Sequence, residues 1–173
     1  MEEKMKTRGF EIVSTYADKD IALPQRATHH AAGYDFEAAE EVVIPSIWKA
    51  GLMNGIQALT AKDVQKAIKP TLVPTGIKSY MGKEEYLQLT NRSSNPLKRF
   101  LLLTNGVGVI DSDYYNNSDN EGHIMFQFTN FGPSDLTIKK GERIGQGIFL
   151  PFLKADQDVT SQSRSGGFGS SDL

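Results

Sequence analysis

No cysteine occurs in the 173 residues, which excludes disulfides and thiolate zinc sites and fits a reducing compartment. Histidine is almost as scarce: there are three, His29, His30 and His123. Neighbouring residues of an extended segment point to opposite faces, so a metal cage built from histidine is not expected. No apolar run approaches the ~20 residues a membrane helix needs. Met1 to Arg8 is charged and lacks the apolar region of a signal peptide. A cytoplasmic protein without membrane contact is expected. Positive charge is not in excess either. The net charge is −2, too little basicity for a face that tracks nucleic-acid phosphates, so no nucleic-acid partner is expected. A small anion needs only a few local arginines and lysines and is not excluded.

What is present suits one globular domain: 39% of residues are hydrophobic and 23% charged, enough to bury one core. Phe10 to Ser14 reads as a first strand. In Tyr34 to Ala38, Tyr34, Phe36 and Ala38 alternate with Asp35 and Glu37, the pattern of a half-buried strand with Asp35 turned away from the apolar face. After Val42-Val43-Ile44-Pro45 the β pattern stops. Thr60-Ala61-Lys62-Asp63 resembles a helix start, Ala61, Val64 and Ile68 fall at helical spacing, and Pro70 ends the run, so a short helix is expected there. Trp48 with Leu52, Met53 and Ile56 would either pack that helix down or form a partner surface. From Thr71 short apolar runs return: Leu72-Val73, Ile77 to Met81, Tyr86 to Thr90, Phe100 to Thr104, Val107 to Ile110, Ile124 to Thr129, Leu136 to Ile138 and Ile144 to Leu150. Many short strands separated by Gly, Pro, Asn and Asp predict a mainly β jelly roll or distorted β-barrel with a short inserted helical segment. Residues 1–155 would form this domain. Residues 156–173, rich in Ser and Gly, would form a flexible tail.

Several short stretches carry candidate chemistry. Gly108-Val109-Ile110-Asp111-Ser112-Asp113-Tyr114 runs an apolar strand into two carboxylates and an aromatic ring. Asp111 reads either as a carboxylate made more basic by apolar neighbours and able to take a proton from water, or as part of an Asp-Ser-Asp turn. Arg92-Ser93-Ser94 follows an alternating strand and offers a guanidinium, two hydroxyls and backbone N–H groups, a donor set for phosphates or an ordinary polar turn. Asn105 has the donor and acceptor that reading a pyrimidine edge requires, yet Asn105-Gly106 is also a common turn dipeptide. Asp35 alone reads as solvated surface. In the tail, Gly166, Gly167 and Gly169 let backbone N–H groups approach an anion, Arg164 adds charge and Phe168 adds a stacking face. No Gly-Lys-Ser/Thr or following helix makes this a nucleotide fingerprint of another kind.

Ala32-Gly33-Tyr34-Asp35, Arg92-Ser93-Ser94, Gly108 to Tyr114, Gly141-Glu142-Arg143-Ile144-Gly145-Gln146 and Arg164-Ser165-Gly166-Gly167-Phe168-Gly169-Ser170 occur in the order and approximate spacing of five motifs. The chain thereby resembles the trimeric dUTP pyrophosphatases (dUTPases). The resemblance implies a homotrimer that hydrolyses dUTP with Mg²⁺. It gives Arg92, Ser93, Ser94 and Gln146 to the phosphates, and Asp35, through water, to the metal. Asn105, the backbone of Gly108, Val109, Ile110 and Asp111, and Met125 would line the uracil pocket. Asp111 would orient the attacking water as general base, and Tyr114 would pack on the deoxyribose and exclude a 2′-hydroxyl. Arg164, Gly166, Gly167, Phe168, Gly169 and Ser170 would close over the substrate, Arg164 on the terminal phosphate and Phe168 over the base.

The sequence departs from the family pattern in several places. The stretch 46–70 replaces a short turn, and a protein partner through this insertion is the alternative role. Tyr115 to Gly122 makes a longer hairpin without the usual glycine after Tyr114. Gly145 stands where many relatives have alanine, a small change on paper, and the end reads Ser170-Ser171-Asp172-Leu173. A dCTP deaminase would need a glutamate in the strand after the hairpin. Ile124-Met125-Phe126-Gln127-Phe128 offers Gln127, which disfavours that reading.

Overall fold

The computed structural model describes residues 6–48 and 69–160. Its strands are β1 (Gly9–Ile12), β2 (Gln25–Arg26), β3 (Tyr34–Glu37), β4 (Val42–Ile44), β5 (Thr71–Pro74), β6 (Ile77–Tyr80), β7 (Glu85–Asn91), β8 (Leu101–Leu103), β9 (Gly108–Asp111), β10 (Met125–Asn130), β11 (Leu136–Ile138) and β12 (Arg143–Pro151). They match the apolar runs of the sequence closely because most of those runs alternate. In β10 every second residue, Phe126, Phe128 and Asn130, is buried while Met125, Gln127 and Thr129 are half-buried, the period-two signature of a strand with one face on a core.

A five-stranded sheet, β2-β3-β12-β7-β9, faces a three-stranded one, β5-β10-β8, and the pairs β1-β6 and β4-β11 complete the jelly-roll type of fold. All ladders between named strands are antiparallel. Phe36, Leu87, Leu89 and Ile144 meet Val73, Leu101, Phe126 and Phe128 in one buried cluster. Glycines on β12 make room for the aromatics. A Cβ at Gly145 would lie 2.0 Å from Phe126 Cε1, and one at Gly147 would lie 2.7 Å from Phe36 Cε2. The glycine at 145 is therefore tied to the Phe126 ring and is not freely exchangeable with alanine.

Between β7 and β8 the Arg-Ser-Ser stretch does not remain a turn. It leads into a short helix, α1 (Ser94–Arg99), whose Pro96 sits in the first turn where an N–H has no helical partner. Phe100, at φ 54°, ends it in the left-handed region, and its carbonyl accepts the Phe131 N–H. No helix among the described residues is long and apolar enough to cross a membrane. The expected helix with Ala61, Val64 and Ile68 and the tail motif Arg164 to Ser170 lie outside the described residues.

Candidate active site

The five-stranded sheet carries four of the five motifs and sorts them to its two ends. At one end Asp35 on β3 pairs with Gln146 on β12, which pairs with Thr90 on β7. These side chains therefore share one row on one face. Asp35 is not solvated surface, as its strand pattern suggested; it is 8% exposed. The reason is its neighbours: Gln146 Nε2 donates to Asp35 Oδ1 at 3.0 Å, Arg143 Nη1 to Oδ2 at 3.3 Å, and Arg92 Nε lies 3.9 Å from Oδ1. A buried carboxylate is tolerated when it is paired and hydrogen-bonded in this way.

Arg143 and Gln146 are three apart, a spacing that places side chains on opposite faces of a regular strand. The ladder shifts register between Arg143, opposite Glu37, and Gly145, opposite Phe36. The resulting bulge brings both side chains to Asp35, as bulges do when they re-aim a side chain. The carbonyls around it are also used. Arg143 O accepts from Arg92 Nη1 at 3.1 Å, and Ile144 O accepts from Asn95 Nδ2 at 2.8 Å. Asn95, buried on α1, also donates to Asn91 Oδ1 at 2.7 Å, and Asn91 donates to Leu101 O at 3.0 Å. Arg92, Ser93 and Ser94 are thus fastened to the strand that carries Gln146. Gly33 leaves room for that glutamine, since a Cβ there would sit 3.2 Å from its side chain.

The sequence reading assigned Gln146 but passed over Arg143 and Asn95. Arg143 had a signal, as the cation of the Gly141 to Gln146 motif; Asn95 had none, because its partner Ile144 comes from a strand distant along the chain.

The other end is built by β9. Among the described residues this strand is the edge of the sheet and pairs only with β7, Asp111 opposite Tyr86 and Gly108 opposite Leu89. Its outer edge therefore offers backbone N–H and C=O groups, which is how an extended edge recognises a ligand. Gly108 is close-packed: a Cβ would meet Leu89 Cβ at 3.0 Å. Asn105 lies in the exposed turn before β9, where Gly106 has φ +68°. Val109 is exposed, Ile110 is half-buried in the core side, and Met125 opens β10 half-buried. Asp111 is half-buried rather than enclosed. It borders a cavity of about 680 Å³ shared with Lys83, Lys154 and Asp158, and a second of about 480 Å³ shared with Tyr86, Val109 and Phe152. Tyr114 follows in a 3₁₀ turn, Ser112–Tyr114, and is 5% exposed. Arg92 lies six residue steps along β7 and its end from Tyr86, beside Asp111, roughly 20 Å at strand spacing.

Among the described residues no group of three His, Cys, Asp or Glu side chains could hold a metal ion. Both oxygens of Asp35 are engaged by Gln146 and Arg143. This donor set does not fit a resident ion held by the protein alone.

The dUTPase family profile matches residues 57–172. A deoxyuridine 5′-triphosphate nucleotidohydrolase of Lactococcus lactis is 48% identical over 96% of this chain and 98% of its own length. One from Escherichia coli K12 is 32% identical over 96% of this chain and 98% of its own length. The crystal structure of the Streptococcus mutans dUTPase is similar with a TM-score of 0.70 and 44% identity, covering 86% of this chain and 98% of that one. The dUTPase of the S. aureus phage phi11, 16% identical with a TM-score of 0.64 over 92% of this chain and 99% of that one, shares the fold. With its motifs in order, its strands in this arrangement and these relatives across almost its whole length, the chain belongs to the dUTPase family.

Proposed function

We propose that the protein hydrolyses dUTP to dUMP and pyrophosphate as a cytoplasmic homotrimer. The observation that carries this reading is the convergence of Asp35, Arg92, Arg143 and Gln146, distant in sequence, into one preformed cationic and amide cluster, a donor arrangement suited to phosphate oxygens. Water attacks the α-phosphorus. Asp111 takes its proton, and the bond from the α-phosphorus to the bridging oxygen breaks, releasing pyrophosphate without a covalent intermediate. Asn105, the edge of Gly108 to Asp111 and Met125 receive uracil, and Tyr114 walls off the 2′ position. Arg92, Ser93, Ser94 and Gln146 hold the phosphates, and the segment Arg164 to Ser170 closes over them. Mg²⁺ would supply charge neutralisation on the triphosphate, and Asp35 would hold it through water, in keeping with the few protein ligands Mg²⁺ usually takes.

Asp111 and Arg92 lie roughly 20 Å apart along one chain, too far for one water and one triphosphate to join. This separation supports a homotrimer in which a second copy brings a β9 end to a β12 end. Pyrophosphate release measured across dUTP, dCTP, dTTP and UTP tests the reading: turnover of dUTP alone is expected, and equal turnover of dCTP or UTP would overturn it.

A second reading concerns a protein partner through the 46–70 insertion. Trp48 is 56% exposed although its Nε1 is held by Phe131 O at 2.9 Å, and Phe131 and Phe100 beside it are also exposed. An anchored, exposed tryptophan among exposed phenylalanines suits a binding surface. Loss of a captured partner on Trp48→Ala, with dUTP turnover intact, is the expected result.

A further inference from the structure

The lengthened hairpin between Tyr114 and β10 folds its asparagines back onto the tyrosine. Tyr114 Oη donates to His123 O at 3.1 Å and accepts from Asn120 Nδ2 at 2.8 Å. Asn120 is itself fixed: its Oδ1 accepts from Asn117 Nδ2 at 3.0 Å and from the Gly122 N–H at 3.0 Å. Asn117 Nδ2 also donates to Tyr114 O at 2.8 Å, and Asn117 Oδ1 accepts the N–H of Asn120 at 3.1 Å. The tyrosine is therefore gripped at its backbone carbonyl and at its hydroxyl by one turn. Gly122, at φ +82°, closes this turn where a Cβ would lie 2.5 Å from Tyr114 O, so no side chain fits.

The turn is anchored to the rest of the fold. Glu121 accepts from the Ser14 hydroxyl and from Lys78 Nζ at 3.1 Å, Tyr115 Oη donates to Glu11 at 2.6 Å, and His123 Nε2 accepts the Gly76 N–H at 2.9 Å.

We infer that Asn120 is a specificity-determining positioning residue: by holding the Tyr114 hydroxyl it fixes the ring that separates deoxyribose from ribose. This rests on the reading of Tyr114 as the sugar wall. A phenol hydroxyl needs no partner to stack a ring. A buried one whose donor and acceptor sides are both satisfied, however, cannot tilt without breaking a hydrogen bond. A wall that cannot tilt rejects a 2′-hydroxyl that a mobile ring would admit.

The experiment compares kcat/KM for dUTP and UTP in Asn120→Ala, Asn120→Asp, Tyr114→Phe and the double variant Asn120→Ala/Tyr114→Phe. Asn120→Ala is expected to lower the dUTP/UTP ratio roughly 3- to 10-fold, the range of one lost hydrogen bond, with the pH profile of kcat unchanged. Asn120→Asp keeps the acceptor for Gly122 and Asn117, but its second oxygen can hold Tyr114 only if the phenol turns its O–H away from His123 O, so it should lower the ratio by less, and it guards against a misfolded alanine variant. In the Tyr114→Phe background Asn120→Ala should have no further effect on selectivity. Additive effects, or an unchanged ratio in both Asn120 variants, would overturn the inference. Tyr114→Ala separates the levels: if it leaves the ratio unchanged the sugar-wall reading itself fails, whereas a collapsed ratio with inert Asn120 variants sinks only the role of Asn120.

Discussion

The two ends of the five-stranded sheet solve different problems. At the Asp35 end, charge is assembled in advance: a carboxylate 8% exposed is held by two arginines and a glutamine, and a bulge in β12 aims two of them. At the Asp111 end the strand edge and a half-buried carboxylate face open cavities, which on the proposed reading take the base and the water. One end is paired and cationic, and the other is open. On the proposed reading neither end is a complete site, and the distance between them along β7 is what calls for more than one chain.

The comparison can be broken first at Asp111. Asp111→Asn keeps the shape and removes the proton acceptor; kcat for dUTP should fall at least the ~10²–10⁴-fold typical of general-base catalysis, with oligomeric state intact by sedimentation. Near-normal turnover would remove Asp111 from the chemistry.

Mixing chains sharpens it. Asp111→Asn and Arg92→Ala proteins, each inactive alone, should regain up to about a quarter of wild-type activity when refolded together at equal amounts, because sites pairing an intact β9 end with an intact Arg92 from a neighbour then form by chance. No recovery would mean that both groups serve a site within one chain.

Asp35→Asn weakens the preformed end. The arginines lose their shared anion, and the fold should lose roughly 1–3 kcal/mol, the scale of hydrogen bonds to a charged group, read as a lowered Tm. Because Arg92 and Arg143 are then less well placed, KM for dUTP should rise more than kcat falls. An unchanged KM would show that Asp35 does not organise the phosphate donors.

The smallest effect concerns His123 behind the Tyr114 turn. Burial pushes its pKa down from 6.5 to about 4, against the opposing pull of Glu121. The unfolded chain therefore binds the proton more readily between these values. The stability this residue contributes is complete above about pH 6.5 and declines as pH falls toward 4. His123→Gln should flatten the dependence of Tm on pH within that window; an undiminished slope would assign it to other groups.

Much of this was legible before folding. Period-two alternation located the strands from Thr71 onward to within a residue or two, because each strand has one buried face, and the motif residues Asp35, Arg92, Asp111 and Gln146 were named from their order alone. What alternation could not reveal was a position where it fails. Asp35 looked solvated because its partners come from residues 92, 143 and 146, and no local pattern announces them. Arg143 and Gln146 share a face only through a bulge that depends on β3 as a neighbour. Gly145 looked exchangeable until Phe126 from the facing sheet filled the space above it. Asn95 and Asn120 drew no reading of their own in the sequence, yet one fastens the Arg92-Ser93-Ser94 turn to β12 and the other donates to Tyr114. The sequence by itself determined the strands, the family and the chemical groups, since these follow from residue type and spacing. Only the tertiary structure decided which groups share a face, which carboxylate is buried and how far apart the two halves of the site lie, because those depend on contacts between segments distant along the chain.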